Sequence, residues 1–562
     1  MSRTSPFPNG VDSSSSILPH NPLVARNLPY IRDTKGRPRY LGPTSTWSFC
    51  RRALMLLEAQ APSPDGLSAP LNLDGTAFRL RWQPKPMLEP SDLKNLPPMD
   101  YAFYLYNTVK YHLGELFGII DEPYFLAQFE RFHKAPWETA RAHTLWFTEY
   151  LLILAYGKAF LAPSNHSGTA PPGSEFAARA MALLPDPAQL HDEGMLAIEF
   201  LALIGQAVRL CYIEGIQRQV PDDVVSPGFA SRCNTAWWTV YVLEHELTAL
   251  MGGPPSIPED DITTELPFEK SASLPAKALT LRIRLSKLIA SMCNTVYGVE
   301  KGMGDTFVRT TTTVLHQLAE VSRELEHIKS SFDDVSRSEL PHMLRNTMLS
   351  YHHCIVLATR PLVMWLLMLS MPPATMEPQQ LARPIATLLQ TSAESATANI
   401  FMLRTLAEHD MLETFLPFQL EYGFSSAMLL CILGAILPTF VPNENWHAAI
   451  DFVLDEMVKK KNPVARLRKS ELNQLDALLN PLRGYGPVFP DAATSFAGGD
   501  VVAGLQRGDV EPAQLADDDG GFEMPWDSMG NVGNQLANPD QMLELAEQIG
   551  TGDLLSSFFF EC

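Results

Sequence analysis

Cysteine is scarce in this chain of 562 residues, which contains only seven. Consecutive cysteines are at least 22 residues apart, and this spacing excludes a zinc ribbon, a binuclear zinc cluster and a CxxC redox pair. Cys211, Cys354 and Cys431 lie in strongly apolar segments, where a free thiol behaves as a small buried hydrophobic group. The sequence therefore predicts reduced thiols in a reducing compartment, and no bound metal or cofactor.

Basic residues are also in deficit, since 43 Lys and Arg stand against 63 Asp and Glu, for a formal net charge of −20. This balance argues against a protein that coats nucleic acid. The N-terminus lacks the apolar stretch of a secretory signal. The longest apolar run, residues 427–437, has 11 residues and is too short to span a bilayer. We expect an intracellular protein without membrane association, in which this run forms a buried helix.

Stretches that alternate apolar and polar residues, the pattern of half-buried strands, are nearly absent. Between about 39 and 485, apolar residues recur at three- and four-residue spacing, in segments separated by Pro- and Gly-marked breaks. Examples are 101–119, 123–133, 143–161, 189–218, 236–251, 306–328 and 343–371. We predict an all-α fold with one large helical domain over residues 39–485, because no linker divides this region and no fixed repeat indicates a solenoid.

The two ends differ from this body in composition. Residues 1–38 are rich in Ser, Pro and Asn, which predicts a disordered arm, with a net charge of +4 over residues 1–40. Residues 486–562 are predicted to be largely disordered and acidic, with 14 acidic side chains and one basic side chain in 491–562. Such a composition cannot build a core of its own, so this segment is predicted either to bind a partner or to act as a solubilising tail.

Short apolar clusters interrupt the acidic segment. Residues 540–550 place Met542, Leu545 and Ile549 on one face of a helix and acidic residues on the other. Such a short helix is marginal alone but can fold in the apolar groove of a partner. Acidic-hydrophobic composition is typical of transcriptional activation segments. The predicted coactivator contacts are Phe522, Trp526, Met542, Leu545, Ile549, Leu554, Leu555, Phe558, Phe559 and Phe560.

Aspartate pairs raise one enzymatic alternative, a terpene cyclase, whose magnesium ions need several converging carboxylates. The pairs at 222–223, 260–261 and 333–334 each lack the acidic residue that would complete a metal motif of that class. His245-Glu246 does not continue into HExxH, and neighbouring residues such as His352 and His353 point about 100° apart on a helix. We therefore predict a non-enzyme without a catalytic or metal site, and a terpene-cyclase-like enzyme is a remote alternative.

One basic run contrasts with the acidic chain. It contains Lys459, Lys460, Lys461, Arg466, Arg468 and Lys469. The two-cluster arrangement is typical of a nuclear import signal. The alternative is a helix, a break at Asn462-Pro463 and a second helix, with the basic side chains on solvated faces.

Several ordered segments carry a family resemblance. Residues 39–45 are Arg-Tyr-Leu-Gly-Pro-Thr-Ser, residues 205–209 are Gly-Gln-Ala-Val-Arg, and residues 215–218 are Gly-Ile-Gln-Arg. Residues 236–241 are Ala-Trp-Trp-Thr-Val-Tyr, followed by a loop with Gly252, Pro254 and Asp260-Asp261. With the segments at 351–361, 415–422 and 462–472, they resemble the regulatory middle homology region of fungal-specific zinc-cluster transcription factors. The departures are Gln217, where His is usual, and Gly253, where Arg is common.

The resemblance covers roughly residues 39–480 and implies an all-α regulatory domain. Its signature residues here are Arg39, Tyr40, Gly42, Arg209, Gly215, Arg218, Trp237, Trp238, Tyr241, Gly252, Pro254, Asp260, Asp261, Arg360 and Pro361. Trp237, Trp238 and Tyr241 are expected to anchor a core helix. We expect internal polar pairs from Arg209, Arg360 and one of the two aspartates.

Members of that family normally carry six cysteines that bind two zinc ions before this domain. Here Cys50 is the only cysteine in the first 210 residues. We expect either a gene prediction that has lost an N-terminal exon or a regulator that reaches DNA indirectly, through a zinc-bearing homologue or dimer partner.

The resemblance implies a nuclear transcriptional regulator, with secondary-metabolite gene clusters as the targets that the family suggests, and with an acidic tail that recruits the transcription machinery. The alternative is a ligand-sensing or sequestering protein that makes no contact with DNA. In that case the helical body would bind a small-molecule effector or an active homologue.

Overall fold

The computed structural model of the chain describes residues 21–24, 31–32, 38–39, 42–60, 80–114 except 81 and 86, 120–162, 170–184, 196–197, 202, 207–220, 225–267, 273–297, 304–330, 340–371, 381–442 except 382, 445–483 and 536–551. These residues contain sixteen α-helices. Their β structure is one antiparallel ladder of two residues per strand, β1 (Ile31–Arg32) with β2 (Pro38–Arg39). The predicted all-α fold is confirmed.

The first seven helices lie before the double-tryptophan segment. They are α1 (Thr46–Gln60), α2 (Met99–Val109), α3 (Glu122–Lys134), α4 (Pro136–Ala142), α5 (Thr144–Phe160), α6 (Ser174–Ala182) and α7 (Val208–Glu214). A π-helical turn, Lys110–Gly114, continues α2, and a 3-10 turn, Pro90–Leu93, precedes it. The predicted segments 101–119, 123–133 and 143–161 correspond to α2, α3 and α5.

Nine further helices complete the described part of the fold. They are α8 (Pro227–Met251), α9 (Leu274–Thr295), α10 (Gly304–Ser330), α11 (Leu340–Leu369), α12 (Arg383–Glu408), α13 (Pro417–Ile436), α14 (Trp446–Lys459), α15 (Pro463–Arg483) and α16 (Pro539–Thr551). The side chains of Ser226, Ser273 and Asn445 cap α8, α9 and α14 by accepting a backbone N–H bond in the first turn. Two 3-10 turns lie at Glu259–Asp261 and Pro438–Phe440.

The apolar side chains form two clusters that share two helices. The first cluster is built by α2 to α7 with the middle of α8, and the second by α1 with α10 to α16. In α9, Leu279 and Ile283 belong to the first cluster, whereas Leu281 and Leu285 belong to the second. Because α8 and α9 present faces to both clusters, they join the two halves of the body.

Two helices are long and apolar enough to cross a membrane, Leu344–Leu369 within α11 and Pro417–Ile436, which is α13. The body buries 83% of the apolar window in the first and 94% in the second. A helix that is apolar on every side is expected in the centre of a large helical protein. The apolar run at 427–437 therefore lies in a core helix, as the sequence predicted.

The C-terminal helix α16 packs against α10 and α12. Its apolar face lies in the second cluster, where Met542 and Leu545 are each 2% exposed and Ile549 is 4% exposed. The amphipathic helix predicted at 540–550 is thus confirmed. The sequence assigned the apolar face of this helix to a partner, but the chain's own helices cover it over residues 536–551.

Polar contacts fix the start of α16 on α10. Ser322 Oγ donates a hydrogen bond to the carbonyl oxygen of Ala537 (3.1 Å). Arg323 pairs with Asp540 across an exposed rim (2.7 Å). Asn538 Oδ1 accepts a bond from the backbone N–H of Asp540 (3.0 Å), which caps the helix. Side chains of the body and the local Asn-Pro-Asp sequence therefore set where this helix begins.

Candidate functional site

The double-tryptophan signature lies on α8 and holds the following loop onto the helix. Trp237 and Tyr241 have no exposed surface and Trp238 is 1% exposed. Trp238 Nε1 donates a hydrogen bond to the carbonyl oxygen of Glu265 (2.8 Å), and Asn234 Nδ2 donates to the same oxygen (2.6 Å). The aromatic side chains thus occupy the core, and Trp238 also donates a hydrogen bond to a loop carbonyl.

A second contact joins the signature to this loop. The hydroxyl of Tyr241 donates a hydrogen bond to the Glu259 carboxylate, and Lys287 Nζ lies 3.5 Å from the same carboxylate. Burial and this bond raise the pKa of Tyr241 far above its ordinary value. The loop carboxylate that pairs with the core is therefore Glu259. Asp260 and Asp261, which we expected in that role, are exposed.

Two signature glycines that are 210 positions apart touch through their backbones. Gly252 ends α8 with φ at +74°, a conformation that glycine adopts at little cost. A Cβ atom on Gly42 would lie 2.3 Å from the carbonyl oxygen of Gly252 and 2.5 Å from its Cα. The segment before α1 and the end of α8 can approach this closely only because both residues lack a side chain.

Arg360 holds the same segment from the other side. Its guanidinium is fully buried and donates hydrogen bonds to the carbonyl oxygen of Thr44 (2.8 Å), to Thr46 Oγ1 (2.7 Å) and to Ser425 Oγ. Burial lowers the pKa of Arg360 from its usual value. Arg360 forms internal polar contacts, as expected, but its partners are a carbonyl and two hydroxyls rather than an aspartate.

Pro361, the next signature residue, lies inside α11. Proline has no N–H, so the carbonyl of Leu357, four residues earlier, loses its helical hydrogen bond. The hydroxyl of Tyr297 donates to that carbonyl oxygen (2.6 Å). The proline therefore creates a docking point for the end of α9.

A buried ion pair lies between the two apolar clusters. Arg282 Nη2 on α9 lies 2.6 Å from Glu246 Oε1 on α8, with the two side chains 4% and 2% exposed. Burial raises the pKa of Glu246, and Arg282 opposes that shift. Neither residue belongs to the predicted signature set. Charged residues at these spacings on a helix are typical of surface positions, so this pair could not be predicted from the sequence.

Narrow cavities lie on both sides of the ion pair. One, of about 20 Å³, is lined by His112, Leu113, Arg282, Asn346, Glu413, Leu416, Phe418, Gln419 and Tyr422. The other, of about 10 Å³, is lined by Thr44, Thr46, Glu246, Ala249, Leu250, Ile289, His353, Leu357, Phe418 and Tyr422. Each combines a few charged or polar groups with apolar walls, and at this size each has room for about one water molecule.

Amide side chains order one wall of the first cavity. Asn346 Nδ2 donates to Glu413 Oε1 (3.0 Å), and Gln419 Nε2 donates to Asn346 Oδ1 (3.0 Å). Gln419 Oε1 in turn accepts a bond from the backbone N–H of Glu413 (2.9 Å). The wall is thus a closed network of α11, α13 and the loop before α13. It fixes the direction in which the Glu413 carboxylate points.

The His352-His353 pair lies in the core. His352 is 1% exposed and His353 5% exposed. Burial lowers the pKa of His352 to about 3 and that of His353 well below its usual value. Both imidazoles are therefore neutral at physiological pH. Within the described residues, the possible metal ligands that converge are instead Cys431, His447 and Asp476.

Comparison with known proteins gives two relatives. One is an ABC-transporter-regulating transcription factor of Aspergillus oryzae, 21% identical over 408 residues, which cover 61% of this chain and 44% of the relative. The other is an uncharacterised transcriptional regulatory protein of Schizosaccharomyces pombe, 20% identical over 347 residues, which cover 56% of this chain and 42% of the relative. The chain is similar to fungal transcription regulators.

The chain spans less than half the length of these two regulators. No protein-family profile matches it, and no solved structure matches it. The relatives are named as transcription regulators and not as enzymes. The sequence resemblance and the relatives thus agree on fungal transcription regulation.

Other signature residues of this regulator-like chain lie at its surface. Arg209 on α7 is exposed, which corrects the expectation of an internal pair. Arg218 lies 3.3 Å from Asp261, but both side chains are more than half exposed (63% and 54%). Such a pair contributes little to stability. Gly215 ends α7, and Pro254 is exposed just after α8.

The basic run at 459–469 is not a continuous exposed cluster. Lys460 is 2% exposed and pairs with Asp410. Arg468 is 1% exposed, pairs with Glu421 and Glu471 (both 3.0 Å) and lies over the ring of Phe424. The import signal predicted for all six cations is therefore corrected, because two of them serve as internal cations of the helix pair α14 and α15.

The remaining cations of the run are at or near the surface. Lys459 pairs with Glu456 (2.5 Å) and Lys469 with Asp455 (2.7 Å), while Arg466 is exposed. Lys461 begins the turn into α15 with φ at +70°.

Several predicted positions lie outside the described residues. They are Tyr40, Phe522, Trp526, Leu554, Leu555, Phe558, Phe559 and Phe560, together with the side chain of Arg39 and the aspartate pairs at 222–223 and 333–334.

Proposed function

We propose that the chain is a nuclear transcriptional regulator that acts through partners. The observation that carries this proposal is the similarity of 56–61% of the chain to two fungal proteins named as transcription regulators. The contact between Gly42 and Gly252, and the hold of Arg360 on Thr44, support it, because residues quoted for the family resemblance meet in one packed unit. Control of metabolite genes belongs to the same proposal.

In this function, the helical body is the regulatory domain and the acidic C-terminal segment recruits coactivators. The buried face of α16 supplies a mechanism for control of that recruitment. Met542, Leu545 and Ile549 cannot contact a coactivator while they are packed on the body. The cluster at 558–560 and Trp526 are then the first contacts, and α16 joins them only after it leaves the body.

A reporter assay tests the activation role. Residues 491–562 fused to an unrelated DNA-binding module should activate transcription, and alanine at Trp526 and at 558–560 should reduce this activity while the net charge stays constant. A silent fusion with confirmed expression would refute the activation role. Full activity of the alanine variant would show that these aromatic residues do not contribute to activation.

Contact with DNA is proposed to be indirect, through a DNA-binding homologue. Purified full-length chain should show no sequence-specific retention of promoter DNA at any salt concentration, and retention should appear when the partner is added. Binding of phosphate groups alone would weaken steeply with salt and would not depend on sequence. Specific retention by the chain alone would contradict indirect contact.

A second candidate function is effector sensing, and the cavities beside Glu246 and Arg282 favour it. Their lining residues come from α8, α9, α11 and α13, so a small polar molecule that binds there would contact both halves of the body. The cavities hold about one water molecule each in this structure, so they would have to widen to admit such a ligand. Thermal unfolding with candidate metabolites should show a stabilising compound whose effect is lost in Asn346→Leu. An unchanged ligand response in that variant would place the ligand elsewhere.

A further inference from the structure

We propose that Cys431, His447 and Asp476 form a binding site for a zinc ion at the C-terminal end of the helical body. The three residues lie on α13, α14 and α15, and their ligand atoms all lie within 4.8 Å of one another. None of the three belongs to the signature set or to the cavities. The site stands apart from the proposed function, so either can fail without the other.

The distances suit a tetrahedral ion after a small adjustment. Ligand atoms around zinc at about 2.0–2.3 Å from the metal are roughly 3.4 Å from one another. A side-chain shift of about 1 Å brings atoms that are 4.8 Å apart into that range. A thiolate, an imidazole and a carboxylate together are the donor set that zinc prefers over calcium or magnesium.

The site has a buried end and an open end. Cys431 is 3% exposed, Asp476 is partly exposed and His447 is exposed. An ion can therefore enter from solvent past His447 and reach the sulfur at the bottom. A water molecule from its hydration shell keeps the fourth position, as in zinc sites with three protein ligands.

Neighbouring side chains orient two of the ligands. The Arg483 guanidinium holds Asp476 Oδ1 at 2.5 Å, which leaves Oδ2 for the ion, and Arg483 also donates to Asn480 Oδ1 (3.0 Å). The imidazole of His447 stacks on the indole of Trp446, with ring centres 3.5 Å apart, and Trp446 is anchored in the core at 4% exposure. Such outer contacts fix ligand direction in metal sites.

The charges around the site allow a cation. Asp451, one turn after His447 on α14, acts electrostatically on both Cys431 and His447 together with Asp476, while Arg483 opposes them. Zinc binds cysteine as the thiolate. On binding, the thiol releases one proton to solvent, the sulfur forms a bond to zinc, and no electrons are transferred.

Cobalt substitution tests the site on the purified full-length chain, freed of metal with a chelator. One equivalent of Co²⁺ should give a thiolate-to-cobalt charge-transfer band, and one equivalent of Zn²⁺ should remove it. Cys431→Ser should abolish the band. Cys293→Ser, which alters a thiol that is also buried, on α9, is the matched control and should keep it.

His447→Ala covers the case in which Cys431→Ser folds poorly, because the His447 side chain is exposed. Zinc should raise the unfolding temperature of the wild-type chain, in line with linkage of binding to folding. In His447→Ala, zinc affinity should fall by more than the roughly 10–100-fold typical of outer-shell changes. Absence of the band in the wild type, its retention in Cys431→Ser, or an undiminished zinc response in His447→Ala would overturn the proposal.

Discussion

Shortening one side chain in α16 should release this helix from the body without unfolding the body. Leu545 is 2% exposed and packs in the second cluster between Met542 and Ile549 on the docked face. Leu545→Ala removes three carbons from that face and leaves the helix propensity intact, since alanine is the best helix former. We therefore expect the variant to change docking rather than helix formation.

The size of the effect follows from burial. A buried Leu→Ala change costs about 2–5 kcal/mol. Because each 1.4 kcal/mol lowers the ratio of docked to released helix about tenfold, the variant should lower that ratio by roughly 30-fold or more.

Hydrogen exchange measured by mass spectrometry checks this expectation. Amides of residues 539–551 should exchange faster in Leu545→Ala, while peptides from α11 and α13 keep their protection. Gln541→Ala, on the exposed face of the same helix, is the control and should leave exchange of α16 unchanged. Unchanged protection of α16 in Leu545→Ala, or an equal loss throughout α11 and α13, would refute the reasoning.

Three further changes test the packed centre. Gly42→Ala would bring a Cβ atom to 2.3 Å from the carbonyl oxygen of Gly252. It should lower the free energy of unfolding, measured by urea titration, by about 2–4 kcal/mol. Gly253→Ala is the control and should be tolerated, because its Cβ atom would meet its nearest neighbour at 3.4 Å. Glu246→Gln removes the nearest negative charge from the buried cation of Arg282 and should cost about 3–5 kcal/mol by the same titration. The addition of Arg282→Met should recover part of this loss, and no recovery would contradict the pairing. The pKa of His352 is about 3 in the folded chain against about 6.5 in the unfolded chain. The free energy of unfolding should therefore be highest above pH 6.5 and should fall on acidification, by about 2 kcal/mol at pH 5, because the unfolded chain binds the proton first. His352→Leu should remove this part of the pH dependence, and an unchanged slope between pH 5 and 7 would contradict it.

The helices could be predicted because their signals are local. Apolar spacing placed α2, α3, α5, α8, α10 and α11, and capping residues such as Ser226 define their starts. The resemblance singled out Gly42, Gly252 and Arg360, and the structure brings the first two into contact and aims the third at the same segment. The contact itself could not be predicted, because nothing in either local sequence encodes a distance between positions 42 and 252.

Buried charges were the main failure of the sequence reasoning. In a window of helical sequence, a buried charged residue cannot be told from one at the surface. Glu246 and Arg282 are buried because α8 packs against α9, and Arg468 is buried because α13 packs against α15. The basic run illustrates the cost of this ambiguity. Six nearby cations indicated an import signal, yet Lys460 is buried and pairs with the exposed Asp410, and Arg468 is buried and pairs with Glu421.

The position of α16 shows a different limit. The pattern of Met542, Leu545 and Ile549 predicts that this face will be covered, but it does not specify which surface covers it. The helix α16 belongs to the same chain as the groove, and a covalent connection gives it an effective concentration at the groove that favours the intramolecular site. An external partner with similar affinity for the same face therefore competes poorly while the groove is intact. Coactivator binding by α16 then requires either a partner with much higher affinity or a change in α10 and α12 that weakens the groove.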